Sequence, residues 1–350
     1  MNISCLVISK TPSLLSKMLL NLQAARQFWE TGDEILCSWN GSSEAEKSIE
    51  IPKGLNFQIS QRRAYHFASN INQLAQKATG ELLLLINDDL ILDPGTLDRA
   101  EQCLKHNQDV GLVGGILRTS ANQLGHAGIL FDYRGHPYNR LHPELGKQIN
   151  LKAPELQASG RIPAVTGALM LMRKSDFLAV GMRESFRVCG EDVALCLDLR
   201  DKLGKAVYLA SDVTGIHDEK STRGDSFDGP DLDAVTSLAA SKLKVNSELQ
   251  IELGKWCNRE SAALSMLAIQ QLDQINQLHI GMEHYKQQLA KLNAIHQEEL
   301  SKLNQKQDEC NILMAANQNL ELQLETIYSS SSWRLTRPLR RILRRLKGEH

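Results

Sequence analysis

Three continuous apolar runs, each stopping abruptly at a polar loop, restrict what the first ninety residues can fold into. They are Ile3 to Ser9, Glu34 to Cys37 and Leu82 to Ile86. The first is followed by Thr11-Pro12 and a helical stripe of Leu15, Leu19 and Leu22, which reads as strand, turn, helix. The second runs into Trp39-Asn40-Gly41-Ser42 and the third into Asn87-Asp88-Asp89. Strands apolar on both faces and alternating with helical segments predict a mostly parallel α/β sheet flanked by helices, built from right-handed crossovers. Ligands of such sheets bind beyond the carboxyl ends of the strands.

Between Gly111 and Gly181 the glycines at 114, 115, 125, 128, 135, 160 and 167 predict loops and short strands rather than long helices. Helical patterning takes over after Gly229-Pro230, and from Ser261 to Pro338 the sole Gly or Pro is Gly281. With Ile275 at heptad position a, twelve of the sixteen a and d positions through Ile327 are apolar, the exceptions being His296, Glu299, Lys306 and Asn317. A seam held over eight heptads predicts a left-handed coiled coil, with Asn317 at an a position favouring a parallel homodimer. A single helix laid on the globular domain is the alternative. Trp333 to Lys347 carries seven basic residues and no acid, with Leu335, Leu339, Ile342, Leu343 and Leu346 on one helical face and Pro338 near the first turn. This is a basic amphipathic helix, suited to an anionic inner-membrane surface or else simply solvated. The expected division is 1–240 for the α/β domain, 246–328 for the helical and coiled-coil region, and 329–350 for the tail.

Charge excludes one class of partner. Forty Lys and Arg against forty-one Asp and Glu leave a formal charge of −1, so nothing draws the whole chain to nucleic acid, and the tail's full apolar stripe is more than a phosphate-binding arm needs. Seven cysteines, at 5, 37, 103, 189, 196, 257 and 310, form no CxxC pair, which argues against a disulfide framework. The segment MNISCLVISK lacks a secretory pattern, and the longest apolar run is far short of the ~18 residues of a membrane span. A cytoplasmic protein, peripheral on the inner face of the membrane, is expected.

Two acidic pairs and one histidine hold the chemistry. Asn87-Asp88-Asp89 closes a buried strand, where hard oxygen ligands suit Mg²⁺ or Mn²⁺, although the same triplet can cap the next helix near Pro94-Gly95. Gly190-Glu191-Asp192 precedes the helical pattern Val193 to Leu199. A carboxylate there is a cap, or an ionised, oriented proton acceptor. His217 follows the strand-like Ala206 to Leu209 and is a ligand or a structural histidine.

The order of these elements resembles the inverting nucleotide-sugar glycosyltransferases of family two, with a rhamnosyltransferase-like cast. The resemblance covers Ile3 to Gly224 and rests on LVISKTPSLLSKMLLNL, ILCSWNGS, ATGELLLLINDD with LILDPG, His126-Ala127-Gly128, PAVTGALMLMRKSDF, GEDVALCLDLR and GIHDEKSTRG. The ending SSSSWRLTRPLRRILRR is similar to tails of bacterial members acting on surface polysaccharides. The resemblance implies a GT-A fold, a Mn²⁺ or Mg²⁺ cofactor, a nucleoside-diphosphate sugar donor and a glycan or lipid-linked acceptor. It makes Asp89 and His217 the metal ligands, Asp88 the companion facing ribose or diphosphate, and Asp192, or alternatively Glu191, the catalytic base. Gly167 and Ala168 match the loop lining the acceptor and donor-sugar region. Thr11 and Pro12 fall where the first loop reaches the nucleotide, and Asn72 matches a further donor-binding position. His126 receives no role. Four positions depart from the pattern: Trp39 replaces an Asp before Asn-Gly-Ser and is expected to stack on a base, Asn87 replaces the first Asp of a strict DXD, and Ile71 and Leu74 replace Asn and Gly. A nucleotidyltransferase would need a Gly-rich basic signature at the first strand, which Lys10-Thr11-Pro12 supplies poorly. A non-catalytic scaffold organising a membrane-bound assembly is the other reading.

Overall fold

The computed structural model describes residues 1–141, 156–218 and 229–346, with side chains through Arg344. Glu219 to Gly224, the end of the last motif, and Lys347 of the tail lie outside the described residues, as does part of the Gly111–Gly181 stretch.

The chain runs β1 (Ile3–Ser9), α1 (Pro12–Ala25), β2 (Glu34–Trp39), α2 (Ser43–Glu46), β3 (Phe57–Arg62), α3 (Phe67–Lys77), β4 (Leu82–Asn87), β5 (Leu90–Leu92), α4 (Thr96–His106) and β6 (Val110–Arg118). It continues through β7 (Leu124–His126), β8 (Ile129–Phe131), β9 (Pro137–Asn139), β10 (Gly160–Arg161), β11 (Leu169–Arg173), α5 (Lys174–Val180), α6 (Glu191–Leu203) and β12 (Ala206–His217). The described residues from 229 onward form helices: α7 (Gly229–Val245), α8 (Ser247–Ser329), α9 (Ser331–Leu335) and α10 (Arg337–Leu346).

The main sheet has the order β10-β12-β6-β11-β4-β1-β2-β3. Strands β3, β2, β1 and β4 are mutually parallel, as β12 is to β6, while β11 runs antiparallel between β4 and β6. Alternation explains why the apolar runs are continuous. Ile3, Cys5 and Val7 of β1 pack with α1 and α4, while Leu6 and Ile8 pack with α3, α6 and their neighbours, so successive side chains feed two cores on opposite faces. Within the stretch expected to form loops and short strands, one glycine pair is strand. Gly114 and Gly115 lie inside the nine-residue β6, because a Cβ at 115 would stand 2.1 Å from the Val213 carbonyl oxygen and one at 114 only 2.7 Å from Val165. These glycines permit close strand and side-chain approach rather than a turn.

Two compact units divide at 269/270, Met1–Ile269 and Gln270–His350. The first therefore includes α7 and the opening turns of α8, beyond the boundary at 240 that the sequence suggests. Leu249, Trp256 and Ala263 are buried in its core, Glu252 pairs with buried Arg200 at 2.5 Å, and Trp256 Nε1 donates to the Arg161 carbonyl at 2.6 Å. In the second unit the apolar a and d residues of α8, among them Leu278, Leu289, Leu303, Leu313 and Leu320, are exposed. The tail is two helices broken at Thr336, with Arg340 stacked 3.5 Å over the Trp333 ring. Leu335, Leu339, Ile342 and Leu343 are exposed. Among the described residues no helix is long and apolar enough to cross a membrane, and none of the seven cysteines is joined in a disulfide.

Candidate active site

Strand register brings the acidic motif and the distant histidine together. In β4, Asn87 sits beside Ile8 of β1, so Ser9 at the end of β1 reaches Asp88, donating its Oγ–H to Oδ2 at 2.6 Å. The chain then turns into β5, which pairs antiparallel with β12 so that Leu90 lies opposite His217. That register sets His217 Nε2 3.2 Å from Asp89 Oδ1, with side chains only 13% and 7% exposed. Burial pushes the Asp88 carboxyl up to about 6, the Ser9 hydrogen bond opposes this, and the neighbouring Asp89 charge adds to it. Helix α4 does not use the acidic triplet as a cap, since its N-cap is Gly95 with no side-chain hydrogen bond.

Asp192 arrives from a third direction. Gly190, left-handed at φ +93°, is the N-cap of α6 and places Glu191 and Asp192 in the first turn. The Gly167 N–H donates to Asp192 Oδ2 and the Val193 N–H to Oδ1, both at 2.8 Å. Each carboxylate oxygen is thereby fixed with acceptor capacity left over. Gly167 lies just before β11, whose Leu169 pairs with Ile86 of β4, and the Asn87 amide donates to the Ala168 carbonyl at 3.2 Å. A Cβ at 167 would come within 3.2 Å of the Asp192 Cβ and 3.3 Å of Phe67, so a glycine lets this loop lie against the carboxylate.

Asn87, Asp88, Asp89, Gly167, Ala168, Asp192 and His217 line one cavity of 390 Å³. Tyr65, Phe67, Ile129, Pro137 to Asn139, Cys189, Leu232 and Val235 also line it. The volume suits a small molecule. Glu191, 3% exposed, does not line it, which separates the two acidic candidates: Asp192 faces the cavity.

The remaining sequence candidates stand elsewhere. Trp39 is 1% exposed, packs in the core, and donates its Nε1–H to the Ser42 carbonyl at 3.1 Å. A ring so enclosed presents no face to a base, which corrects the stacking expectation. Asn72 is engaged with the chain before α6: its Nδ2 donates to the Met182 carbonyl at 2.9 Å and to Glu184 at 3.0 Å, and its Oδ1 accepts from the Met182 amide. Thr11 and Pro12 also lie outside the cavity lining, although the Thr11 amide contacts the same Ser9 hydroxyl that binds Asp88.

Other site residues were not legible in the motifs. Asp231, at the start of α7, accepts the amides of Arg187, Val188 and Cys189 on one oxygen at 2.7, 2.7 and 3.2 Å. It thereby clamps the loop that enters Asp192. Burial would raise the Asp231 carboxyl, but these three amides hold it below the usual carboxylate range. Ser9, by contrast, closes β1 inside the motif LVISK, where a hydroxyl at a strand's carboxyl end was a readable signal.

The donor set fits a hard divalent ion. His217 Nε2 stands 3.4 Å from Asn87 Nδ2 and 3.2 Å from Asp89 Oδ1, so an imidazole nitrogen and a carboxylate oxygen converge at one place. Adjacent ligands of an octahedral ion stand about 3 Å apart when metal–ligand distances are ~2.1 Å, close to the observed spacing. Among the described residues no group of three or more His, Cys, Asp or Glu could hold a metal. Asp89 and His217 would therefore supply two positions and leave the others to water and ligand oxygens, as Mg²⁺ sites commonly do.

Residues 58–246 match the family model described as Glycosyltransferase like family 2. The O-antigen biosynthesis protein RfbC of Myxococcus xanthus is 28% identical over 237 residues, 65% of this chain, and the chain spans only 18% of the length of that curated relative. Among solved structures, GalNAc-T7 with UDP, GalNAc and Mn²⁺ shares the fold at a TM-score of 0.53 and 12% identity, covering 70% of this chain and 48% of that one. TarS of S. aureus in complex with UDP-GlcNAc aligns at a TM-score of 0.47 and 18% identity, over 75% of this chain and 73% of that one.

Proposed function

This chain belongs to glycosyltransferase-like family 2 and is a glycosyltransferase of GT-A fold, and from that premise we propose that it is a metal-dependent, inverting enzyme. Its donor is a nucleoside-diphosphate sugar, and its acceptor a glycan or lipid-linked saccharide in bacterial surface polysaccharide synthesis. One observation carries the reading: the Asp89–His217 pair, 3.2 Å apart, and the doubly anchored Asp192 carboxylate face a single cavity. The name of the RfbC relative supports the polysaccharide context, and the Mn²⁺ in GalNAc-T7 supports the choice of ion.

Asp89 and His217 would hold a Mn²⁺ or Mg²⁺, which would supply charge neutralisation for the departing nucleoside diphosphate. Asp88, braced by Ser9, faces the same ligand from the end of β4. Asp192 accepts the proton of the acceptor hydroxyl as that oxygen attacks the anomeric carbon opposite the leaving group, so one displacement inverts the configuration. Fixing both carboxylate oxygens in advance lowers the entropic cost of alignment.

Outside the catalytic unit, the exposed heptad seam supports a parallel homodimer, and the basic tail supports a peripheral place on the anionic inner face of the membrane. Sedimentation of the full chain at the 39.1 kDa monomer mass would exclude the dimer. Equal binding to anionic vesicles with and without residues 333–350 would exclude the anchor. For the enzyme itself, the test is thermal denaturation with UDP-, dTDP- and GDP-sugars in Mn²⁺, Mg²⁺ or chelator. Stabilisation by one nucleotide class, abolished by chelator and by Asp89→Ala, is expected. No stabilisation by any of them contradicts the proposal.

A further inference from the structure

His126 closes β7 in the His126-Ala127-Gly128 element and is 3% exposed. Its Nε2 lies 3.2 Å from the Gly128 amide and 3.3 Å from the Thr166 amide, both donors. An atom receiving two N–H groups carries a lone pair, so the ring proton sits on Nδ1, 2.9 Å from Asn139 Oδ1. The imidazole is thus held as one neutral tautomer between three strands of chain, β7, β9 and the approach to β11.

Adjacent amides connect this histidine to the cavity. The Thr166 amide goes to His126, and the next amide, that of Gly167, goes to Asp192 Oδ2 at 2.8 Å. Ile129 donates to the Ala164 carbonyl at 2.8 Å on the other side of the same segment. Two successive peptide N–H groups therefore fasten one loop to a buried histidine and to the carboxylate facing the cavity. At the other ring nitrogen, Asn139 lines the cavity. With its oxygen taken by Nδ1–H, its amide offers N–H donors to the bound ligand.

We propose that His126, as the Nδ1–H tautomer, is a positioning residue: its Nε2 sets the Thr166–Gly167 peptide that holds Asp192, and its Nδ1 turns Asn139 to present donors to a hydroxyl or phosphate oxygen of the ligand. The catalytic consequence rests on the reading of Asp192 as base, whereas the brace itself does not.

The two ring nitrogens are separable by substitution. His126→Gln keeps an acceptor near the Nε2 position, and His126→Asn keeps a donor near Nδ1 but leaves the Thr166 amide unpaired. In the full-length protein, hydrogen exchange at the Thr166 and Gly167 amides should quicken about tenfold in His126→Asn, the effect of losing one buried hydrogen bond. It should stay within about threefold in His126→Gln. With Mn²⁺ and whichever UDP-, dTDP- or GDP-sugar stabilises the wild type, release of nucleoside diphosphate should fall about tenfold in kcat for His126→Asn at unchanged donor KM, and His126→Gln should restore it. Unchanged exchange in His126→Asn overturns the proposal. If His126→Asn does not fold, a long-range ¹H–¹⁵N spectrum of the histidine-labelled wild type, assigned with His126→Gln, decides it: the Nδ1–H form supports the brace and an Nε2–H form refutes it. Altered exchange together with full turnover in Asp192→Asn would leave the brace standing and remove Asp192 as base.

Discussion

Replacing Trp256 by alanine should cost the Met1–Ile269 unit about 4 kcal/mol. The indole is 1% exposed, stacks between Arg140 and Arg259 at 4.7 and 4.8 Å, and donates to the Arg161 carbonyl. Truncating a buried Trp costs about 3–5 kcal/mol in cavity-forming series. Area gives a similar figure, since about 150–250 Å² at ~25 cal/mol/Å² is roughly 4–6 kcal/mol. The cation–π contacts overlap with these sums and are not added. Against a total stability of about 5–15 kcal/mol, the loss is large. Urea denaturation should show it as a midpoint drop of about 1 M or more, read from the fluorescence of the remaining tryptophans, of which Trp39 is buried in the same unit. Trp256→Phe, which keeps the ring but not the donor, should lose only about 1–2 kcal/mol. A Trp256→Ala midpoint within ~0.3 M of wild type would refute the assignment of the first turns of α8 to the catalytic unit.

Two further substitutions probe the loops around the cavity. Gly167→Ala adds a methyl 3.2 Å from the Asp192 Cβ. Turnover should fall about tenfold or more while donor affinity stays within about twofold, and wild-type kcat would count against Asp192 as the reacting carboxylate. Asp231→Asn should lower stability at neutral pH by about 2 kcal/mol, the worth of hydrogen bonds to a charged acceptor. Because the folded Asp231 carboxyl is depressed, its contribution is complete above the unfolded pKa of about 3.9 and is lost as pH falls through the folded value. The gap in melting temperature between wild type and variant should therefore close on acidification below about pH 4. A gap that persists unchanged to pH 3 would contradict the charge-based clamp.

Sequence pattern revealed what depends on local burial. Strands β1 and β4 were legible because both faces are covered, and Asp88, Asp89 and Asp192 because strand ends and helix starts are where the architecture places ligands. What pattern alone, apart from the family resemblance, left open depends on pairing across long separations. His217 meets Asp89 only through the register of β5 on β12, and Asp231 looks like an ordinary acid in a first helical turn until its partners at 187–189 are known. The stretch around Gly114 and Gly115 read only as loops and short strands because a glycine admitted for close approach is indistinguishable, in sequence, from one admitted for a turn. Trp39 illustrates the opposite error. An aromatic at the end of a strand suggested stacking, yet the side chain turns inward beneath the Asn40–Ser42 turn.

Inversion with Asp192 as the base is tested most directly by the anomer first released when the enzyme hydrolyses its donor in the absence of acceptor. Proton NMR recorded within the first turnovers, before mutarotation, distinguishes the two. An α-linked donor should yield the β-sugar first, and Asp192→Asn should abolish its release while leaving donor binding intact. First release of the α-sugar, or full hydrolysis by Asp192→Asn, would contradict the account.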